Sequence, residues 1–293
     1  MPSVETCRKK TTRAGWFAAW VLVFLAVALP ARAQQRPLVT EDPETIGSGN
    51  ILIEAGLDYL HDAQYPASGL TGNLLRWPTL GASFGVGSIV EIQVDWAPYQ
   101  RLAVTEQIPA PLSSLVDFDG DSTSDVDDMV VATKLRFLSE GPGRPALGVR
   151  FATKLPLASN QSGLGLDTTD FNVSALVGKT IQSIRLVGNI GFGILEDPTR
   201  GDQQNDALTY GFSIARAIAQ GFEIVAEING RAQKWGDNPP VGTESRSMMR
   251  FGTRYTRGAV RVDGGFVFGL TSVDPSWGFT TGVTWVFRGF SVP

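Results

Sequence analysis

The sequence predicts an all-β fold: a closed, antiparallel, up-and-down transmembrane β-barrel of about twelve strands. Three observations point to it. Apolar residues recur at every second position through most of the chain, the repeating segments are long, and short connections alternate with long ones. Glycine supports the same class, because 33 of the 293 residues are glycine, about one and a half times the usual share, as tight turns between strands require.

Residues 1–33 are predicted to be a secretory signal peptide that precedes the barrel. Four basic residues lie between Arg8 and Arg13, an apolar run extends from Trp16 to Leu29, and Ala31-Arg32-Ala33 forms a small-x-small cleavage site. The apolar run of about 14 residues is shorter than the ~20 that a membrane-spanning helix needs. We therefore expect cleavage after Ala33 and export from the cytoplasm.

The exported chain is acidic and contains no cysteine. Without residues 1–33 it holds 20 basic and 28 acidic residues, a balance that argues against a nucleic-acid partner. The single cysteine, Cys7, lies in the predicted signal peptide, and the single histidine, His61, follows a predicted strand in a polar stretch. Because no thiolate is available and His61 has no obvious Ser partner at useful spacing, we expect no enzyme and no cofactor.

The alternation is clearest in the middle of the chain. Leu147, Val149 and Phe151 alternate with Gly148 and Arg150, and comparable patterns recur to the last aromatic residues. One face of each segment is apolar, and the other is charged, polar or small. The predicted strands span 50–60, 72–86, 88–100, 126–138, 144–156, 168–180, 182–195, 206–217, 220–233, 243–256, 258–270 and 277–287.

Strand length and connection length both favour a membrane. The segments run about 10–14 residues, whereas soluble strands average about 5–6 and membrane-spanning strands about 9–11. Short connections are predicted at 85–88, 139–143, 179–182, 218–221 and 256–258, with longer polar connections between them. Outer-membrane barrels have short periplasmic turns and longer outer loops. An even strand number leaves both termini in the periplasm, so residues 34–49 are predicted to be a short periplasmic segment and 50–293 the barrel.

The alternation alone does not decide which face points outward. In hydrocarbon a sheet must close on itself, because an unpaired backbone N–H or C=O costs several kcal/mol. The apolar faces would then contact lipid and the polar faces would line the interior. A secreted, soluble β-protein with the opposite arrangement remains the alternative. Aromatic residues near the strand ends, among them Trp77, Trp277 and Trp285, favour the membrane reading, although aromatics are common in any strand.

Several motifs resemble those of a known family. They are PLVTEDP at 37–43, GSGN at 47–50, SDVDD at 124–128, TKLRF at 133–137, PALGVRFATKLP at 145–156, Gly165, TTDF at 168–171, SWG at 276–278 and WVF at 285–287. With these residues the chain resembles the MetA-pathway-of-phenol-degradation family over nearly all of its exported length. The resemblance implies an outer-membrane channel or transporter connected with the breakdown of aromatic compounds.

The predicted inner faces carry charges of both signs. Arg246, Arg250 and Arg254, for example, share one face of a single strand. Either these charges pair into ladders that stiffen the wall, or they form a basic stripe that favours anionic or polar solutes in a water-filled pore. The pore-lining candidates are Glu54, Asp58, Lys134, Arg136, Arg150, Lys154, Arg185, Glu223, Glu227, Arg246, Arg250, Arg254 and Arg261.

One acidic loop resembles a calcium-binding loop in its spacing. Aspartates recur through 117–128, and Asp117, Asp119 and Asp121 occupy the first, third and fifth positions. The sixth position is Ser122 where an EF-hand has glycine, and no helix is predicted on either side. The loop is therefore either a weak Ca²⁺ site or a solvated outer loop.

Together these features predict a passive outer-membrane channel for small solutes, which include aromatic or other small organic compounds. The expected partners are the lipid bilayer, a small-molecule solute and the barrel-assembly machinery. Selectivity would come from the lumen charges and from the long connection at 101–125, folded inward. The alternatives are a non-conducting structural or ligand-binding barrel, and a barrel enzyme that acts on lipid.

Overall fold

The computed structural model describes residues 36–201, 203–233 and 239–291, which form fourteen strands and no helix. The predicted signal peptide lies outside these residues. In the described part of the chain, no helix is long and apolar enough to cross a membrane. The strands are β1 (Asn50–Tyr65), β2 (Leu70–Phe84), β3 (Val90–Trp96), β4 (Gln100–Gln107), β5 (Ser122–Asp125), β6 (Met129–Leu138), β7 (Ala146–Leu155), β8 (Asp170–Ile181), β9 (Ile184–Glu196), β10 (Gln204–Ala219), β11 (Phe222–Gln233), β12 (Arg246–Arg257), β13 (Val260–Gly269) and β14 (Trp277–Arg288).

The sheet closes on itself into a barrel. All neighbouring strands are antiparallel, and β14 pairs with β1 from Asn50↔Arg288 to His61↔Trp277. β3 and β4 pair with two different parts of β2 and so share one place in the ring. β6 pairs with β3, β5 pairs with β4, and these two strands share the next place. The fourteen strands therefore occupy twelve places around the ring. Pro98 lies in the gap between β3 and β4, where a missing N–H interrupts the ladder. The predicted closed barrel of about twelve strands is confirmed.

Side chains alternate between the two faces of the wall as the sequence predicted. Phe266 and Ile190 point outward, 58% and 59% exposed. Arg250 points inward, where its guanidinium donates hydrogen bonds to Glu227 and Asn229. The barrel therefore presents an apolar outer surface and a polar interior, the reverse of a soluble barrel.

The first outer connection is shorter than predicted, and this changes the position of His61. The sequence placed a loop at 61–71, but β1 and β2 continue past it and meet in the turn 66–69. His61 therefore lies within β1, with its Nδ1 2.6 Å from Oδ1 of Asn73 on β2 and its ring beside Trp277. Hydrogen bonding between β1 and β2 thus continues through polar residues that the sequence analysis had assigned to a loop.

The outer end of the barrel interior is apolar. Leu70, Leu74 and Leu102 on the inner faces pack with Leu164 from the connection 156–169, and all four are buried. Val116 and Phe118 of the connection 108–121 pack against this outer leucine cluster. The long connection predicted at 101–125 thus supplies two strands to the wall, and its remainder packs inward.

The outward orientation of Ile190 predicts the effect of a charge at that site. Ile190→Lys should lower the free energy of unfolding in phospholipid bilayers by about 2–4 kcal/mol, because a cation near the bilayer centre must leave water. Urea titration of the reconstituted barrel measures the change, with Ile190→Ala as the uncharged control. If the lysine variant were as stable as the alanine variant, this face would contact water.

Candidate functional site

Residues 36–49 run inside the ring of strands. The backbone N–H groups of Val39 and Thr40 donate to the Glu227 carboxylate on β11 at 2.8–3.1 Å, and that of Glu41 donates to Oδ1 of Asn189 on β9 at 2.7 Å. The Ile46 N–H donates at 2.8 Å to Glu91, on the opposite side of the ring. A segment this short can contact strands on opposite sides of the ring only if it lies inside the ring. We call residues 36–49 the inner segment.

The sequence predicted a short N-terminal periplasmic segment at residues 34–49, whereas the contacts place residues 36–49 within the ring. Only Val39 and Ser48 of the inner segment are exposed. The segment has no strand-like alternation, so pattern analysis assigned it to the outside. The acidic residues of the segment could have indicated its position inside the barrel, because a wall rich in inward-facing cations requires negative charges nearby.

Three acidic residues of the inner segment pair with four of the predicted pore-lining cations. Glu41 and Glu44 are buried and Asp42 is half-buried, each beside charged side chains of β6, β7 or β9. Charge-assisted pairs of this geometry are stronger than neutral hydrogen bonds. The pairs are Glu41 with Lys134 (3.4 Å) and Arg150 (3.0 Å), Asp42 with Arg185 (2.6 Å), and Glu44 with Arg136.

Lys134 is the most deeply buried of these cations. Its ammonium is fully inaccessible and lies 3.2 Å from Glu91 and 3.4 Å from Glu41, one carboxylate from the wall and one from the inner segment. The Gln93 side chain donates to Glu91 at 2.9 Å. Because a buried charge is tolerated only when it is paired and hydrogen-bonded, the inner segment completes an environment that the wall alone leaves unbalanced.

Glycines in the wall leave space for the inner segment. A Cβ at Gly148 would lie 3.4 Å from Cβ of Pro43, and one at Gly252 would lie 2.8 Å from Cγ of Pro37. At Gly211 the added atom would lie 3.5 Å from Cβ of Thr40. Three separate strands thus carry a residue without a side chain where the segment passes.

The remaining predicted pore-lining residues also face the interior and have polar partners there. Most form cross-strand ion pairs, which favours the ladder interpretation of the lumen charges. The contacts are Glu54 with Thr284 (2.9 Å), Asp58 with Arg36 (3.6 Å), Lys154 with Asp170 (3.0 Å) and Asp128 (3.3 Å), Glu223 with Arg254 (2.7 Å) and Arg261 (3.9 Å), Glu227 with Arg250 (2.9 Å), and Arg246 with Asp274 (4.0 Å).

The interior retains empty space on both sides of the inner segment. A cavity of about 670 Å³ opens at the end formed by the short turns, between Glu140, Arg185 and Arg261. A second, of about 410 Å³, lies beside Arg36 and Arg150, and a third, of about 310 Å³, lies toward the outer loops. These spaces are lined by charged groups, so they suit water and polar solutes.

The predicted cation loop does not assemble a ligand cluster. Its three candidate aspartates, Asp117, Asp119 and Asp121, are exposed. In 36–201, 203–233 and 239–291, no three His, Cys, Asp or Glu side chains converge to hold a metal ion. Pairing of β4 with β5 places Asp125 in the wall, where its carboxylate accepts the Ser159 N–H at 2.8 Å. Asp125, in the second half of the predicted loop, therefore contacts the connection 156–169 and does not join the three candidate aspartates in a ligand cluster.

Glu140, in the turn between β6 and β7, links this turn to β8 and β9 at the end of the barrel where the short turns lie. Its carboxylate accepts the Thr180 N–H at 2.7 Å, an ammonium proton of Lys179 at 3.1 Å and a guanidinium proton of Arg185 at 2.6 Å. Partial burial opposes ionisation, but the Thr180 amide and the two cations outweigh it and lower the pKa of Glu140 below its ordinary value.

A closed antiparallel ring with an apolar outside and a charged interior defines the class of outer-membrane β-barrels. Within that class the chain belongs to the family described as "Putative MetA-pathway of phenol degradation", whose family model matches residues 34–292. The resemblance drawn from the sequence motifs is thereby confirmed. No curated protein matches the chain.

Solved outer-membrane proteins have similar folds. The COG4313 outer membrane channel from Pseudomonas putida F1 is 14% identical, with 84% of this chain and 98% of that chain covered and a TM-score of 0.58. The translocator domain of the autotransporter NalP from Neisseria meningitidis is 13% identical (83% and 89% covered, TM-score 0.48). The Pseudomonas putida toluene transporter TodX is 12% identical (85% and 92% covered, TM-score 0.41). The similarity to the COG4313 channel shows the fold. The other two similarities have lower TM-scores and support no conclusion about this chain.

The buried position of Lys134 predicts a large cost of neutralising it. Lys134→Met should lower the free energy of unfolding by about 3–5 kcal/mol, because Glu91 then loses its cation in a fully buried position and Glu41 keeps only Arg150. Lys179→Met removes a half-exposed cation and should cost about 1 kcal/mol or less. Urea titration compares the two. Equal losses would show that the inner segment contributes no buried charge at Lys134.

The lowered pKa of Glu140 predicts a pH-dependent contribution to stability. Wild type should be more stable than Glu140→Gln above the ordinary glutamate value of 4.5, because the ionised carboxylate is favoured in the folded state. That advantage should disappear as the pH falls through the lowered folded-state pKa. Unfolding titrations over a pH series measure it, with the exposed Glu106→Gln as control. An advantage that grew on acidification would contradict the assignment.

Proposed function

We propose that the protein is a passive outer-membrane channel for small solutes and catalyses no reaction. The observation that carries the proposal is the row of charged cavities inside a closed ring, on both sides of the inner segment. A ring whose only function was structural would fill its interior with packed side chains. The proposal includes export by residues 1–33, insertion by the barrel-assembly machinery and residence in the outer-membrane bilayer.

The inner segment sets the conductance in this proposal. It occupies the middle of the lumen and is fixed by ion pairs to Lys134, Arg136, Arg150 and Arg185. Solute would pass through the space left beside it, so the conductance should be small. Since these four cations are neutralised by the segment, they set the field in the pore only when the segment moves away.

Small organic compounds, including aromatic ones, are the proposed solutes. The family description refers to phenol degradation. The chain itself supplies an apolar surface in the outer cavity, where Leu60, Leu74 and Leu195 lie among charged side chains. A mixed lining of this kind suits solutes with an apolar body and a polar group.

A non-conducting ligand-binding barrel is the second candidate. The outer leucine cluster closes part of the outer end, and the inner segment is held at many points. If neither moves, solute would enter the outer cavity and remain there. The two candidates differ in whether ions cross the membrane.

Planar-bilayer recordings distinguish the candidates. Wild type should give small, discrete ion currents. The triple substitution Glu41→Gln, Asp42→Asn and Glu44→Gln should increase the conductance several-fold and shift the reversal potential toward anion selectivity, because the inner segment then carries three fewer negative charges beside four lumen cations. Asp119→Asn, in an exposed outer loop, should change neither. Heat-dependent gel migration confirms that each barrel is folded. If neither the wild type nor the triple variant conducted ions, the channel proposal would be refuted and the ligand-binding barrel favoured.

A further inference from the structure

The outer cavity contains two adjacent arginines that the barrel binds mainly through backbone carbonyl groups and not through close ion pairs. The cavity has a volume of about 310 Å³ and lies between β1, β2, β11, β12 and the connection 156–169. Arg231 on β11 and Arg246 on β12 both line it, and they are directly opposite each other in the strand register. Like charges in directly opposed positions repel each other, so this pair requires an anion or strong acceptors.

The two guanidinium groups are held by backbone carbonyl groups and not by carboxylates. Arg231 donates to the carbonyl oxygens of Glu244 and Gly242, both at 2.8 Å, and Arg246 donates to that of Gln64 at 3.1 Å. Asp274 approaches Arg246 only to 4.0 Å. Among the described residues no carboxylate comes within ion-pair distance of Arg231. A guanidinium has more N–H donors than these bonds use, so both side chains retain donors for a ligand.

The other cations of the same cavity are already paired. Arg76 lies 3.0 Å from Asp127, and Lys154 lies 3.0 Å from Asp170 and 3.3 Å from Asp128. These two cations therefore already lie beside carboxylates. The cationic groups of the cavity that are bonded mainly to carbonyl oxygens are the two arginines, Arg231 and Arg246.

The rest of the cavity wall offers an apolar surface. Leu74 and Leu164 of the outer leucine cluster, together with Leu195 and Met248, line the same space. Such a wall favours a ligand whose charged end is attached to an apolar body, because small inorganic anions gain nothing from it.

We propose that Arg231 and Arg246 form a binding site for a small organic carboxylate with an apolar body, such as an aromatic acid. The planar guanidinium groups bind the carboxylate through paired N–H···O bonds, and the leucines contact the body. The inference rests on the proposed function, since it names the solute class of the same lumen. Among the small organic compounds proposed above, it names the anionic ones.

Calorimetric titration of the barrel in lipid nanodiscs tests the site with sodium benzoate and, as the neutral analogue, benzyl alcohol. Wild type should bind benzoate saturably and benzyl alcohol at least about tenfold more weakly, since charge-assisted hydrogen bonds are lost. Arg231→Gln combined with Arg246→Gln should weaken benzoate binding by about tenfold or more. Arg101→Gln removes an exposed arginine of β4 outside the cavity and should leave binding unchanged.

Three results would overturn the site: no benzoate binding by wild type, equal binding of benzoate and benzyl alcohol, or wild-type affinity in the folded double variant. The first two use the unaltered protein, so they decide the matter even if the double variant does not fold. Bilayer recordings of the same preparation separate the two proposals. Ion currents without benzoate binding would refute the site and leave the channel, whereas benzoate binding by an electrically silent barrel would refute the channel and leave the site.

Discussion

The rest of the structure depends on one constraint: a charge removed from bulk water must be paired. The wall directs Lys134, Arg136, Arg150 and Arg185 inward, and the inner segment supplies their carboxylates. Without these partners the interior would contain a stripe of like charges in a confined space, at a cost of several kcal/mol for the deepest of them. The segment thus belongs to the fold as well as to the pore.

The same constraint acts on the wall in the opposite direction. Closure of the ring pairs the long wall strands on both sides, and the outward side chains have no charges to satisfy in the middle of strands such as β9. A sequence with alternating character then has only one stable arrangement in a bilayer. This arrangement gathers charged groups from many strands into one narrow lumen, where their pairing decides what a solute encounters.

The wall could be predicted from the sequence because its signal is local. A period of two over ten or more residues predicts the strand and separates its two faces, and the requirements of a bilayer then direct the charged face, with Arg250, toward the interior. The inner segment could not be found in this way, because its position depends on contacts with residues far along the chain, such as Glu227. Charge complementarity was the available signal: Glu41, Asp42 and Glu44 form an acidic group, and the predicted lumen faces carry more cations than carboxylates. For the acidic loop, spacing did not decide between a weak Ca²⁺ site and a solvated loop: Asp117, Asp119 and Asp121 are exposed, and in the described residues no three ligating side chains converge there.

Disulfide formation tests most directly whether residues 36–49 lie inside the barrel. In the full chain with Cys7→Ser, no native cysteine remains, and Thr40→Cys with Gly211→Cys brings two Cβ atoms to about 3.5 Å, within the range that a disulfide spans. The account predicts rapid, near-complete cross-linking in the folded, membrane-embedded barrel, and none when Thr40→Cys is paired with Ala226→Cys on the outward face of β11. Failure of the first pair to cross-link in a folded barrel, or equal cross-linking of both pairs, would contradict it.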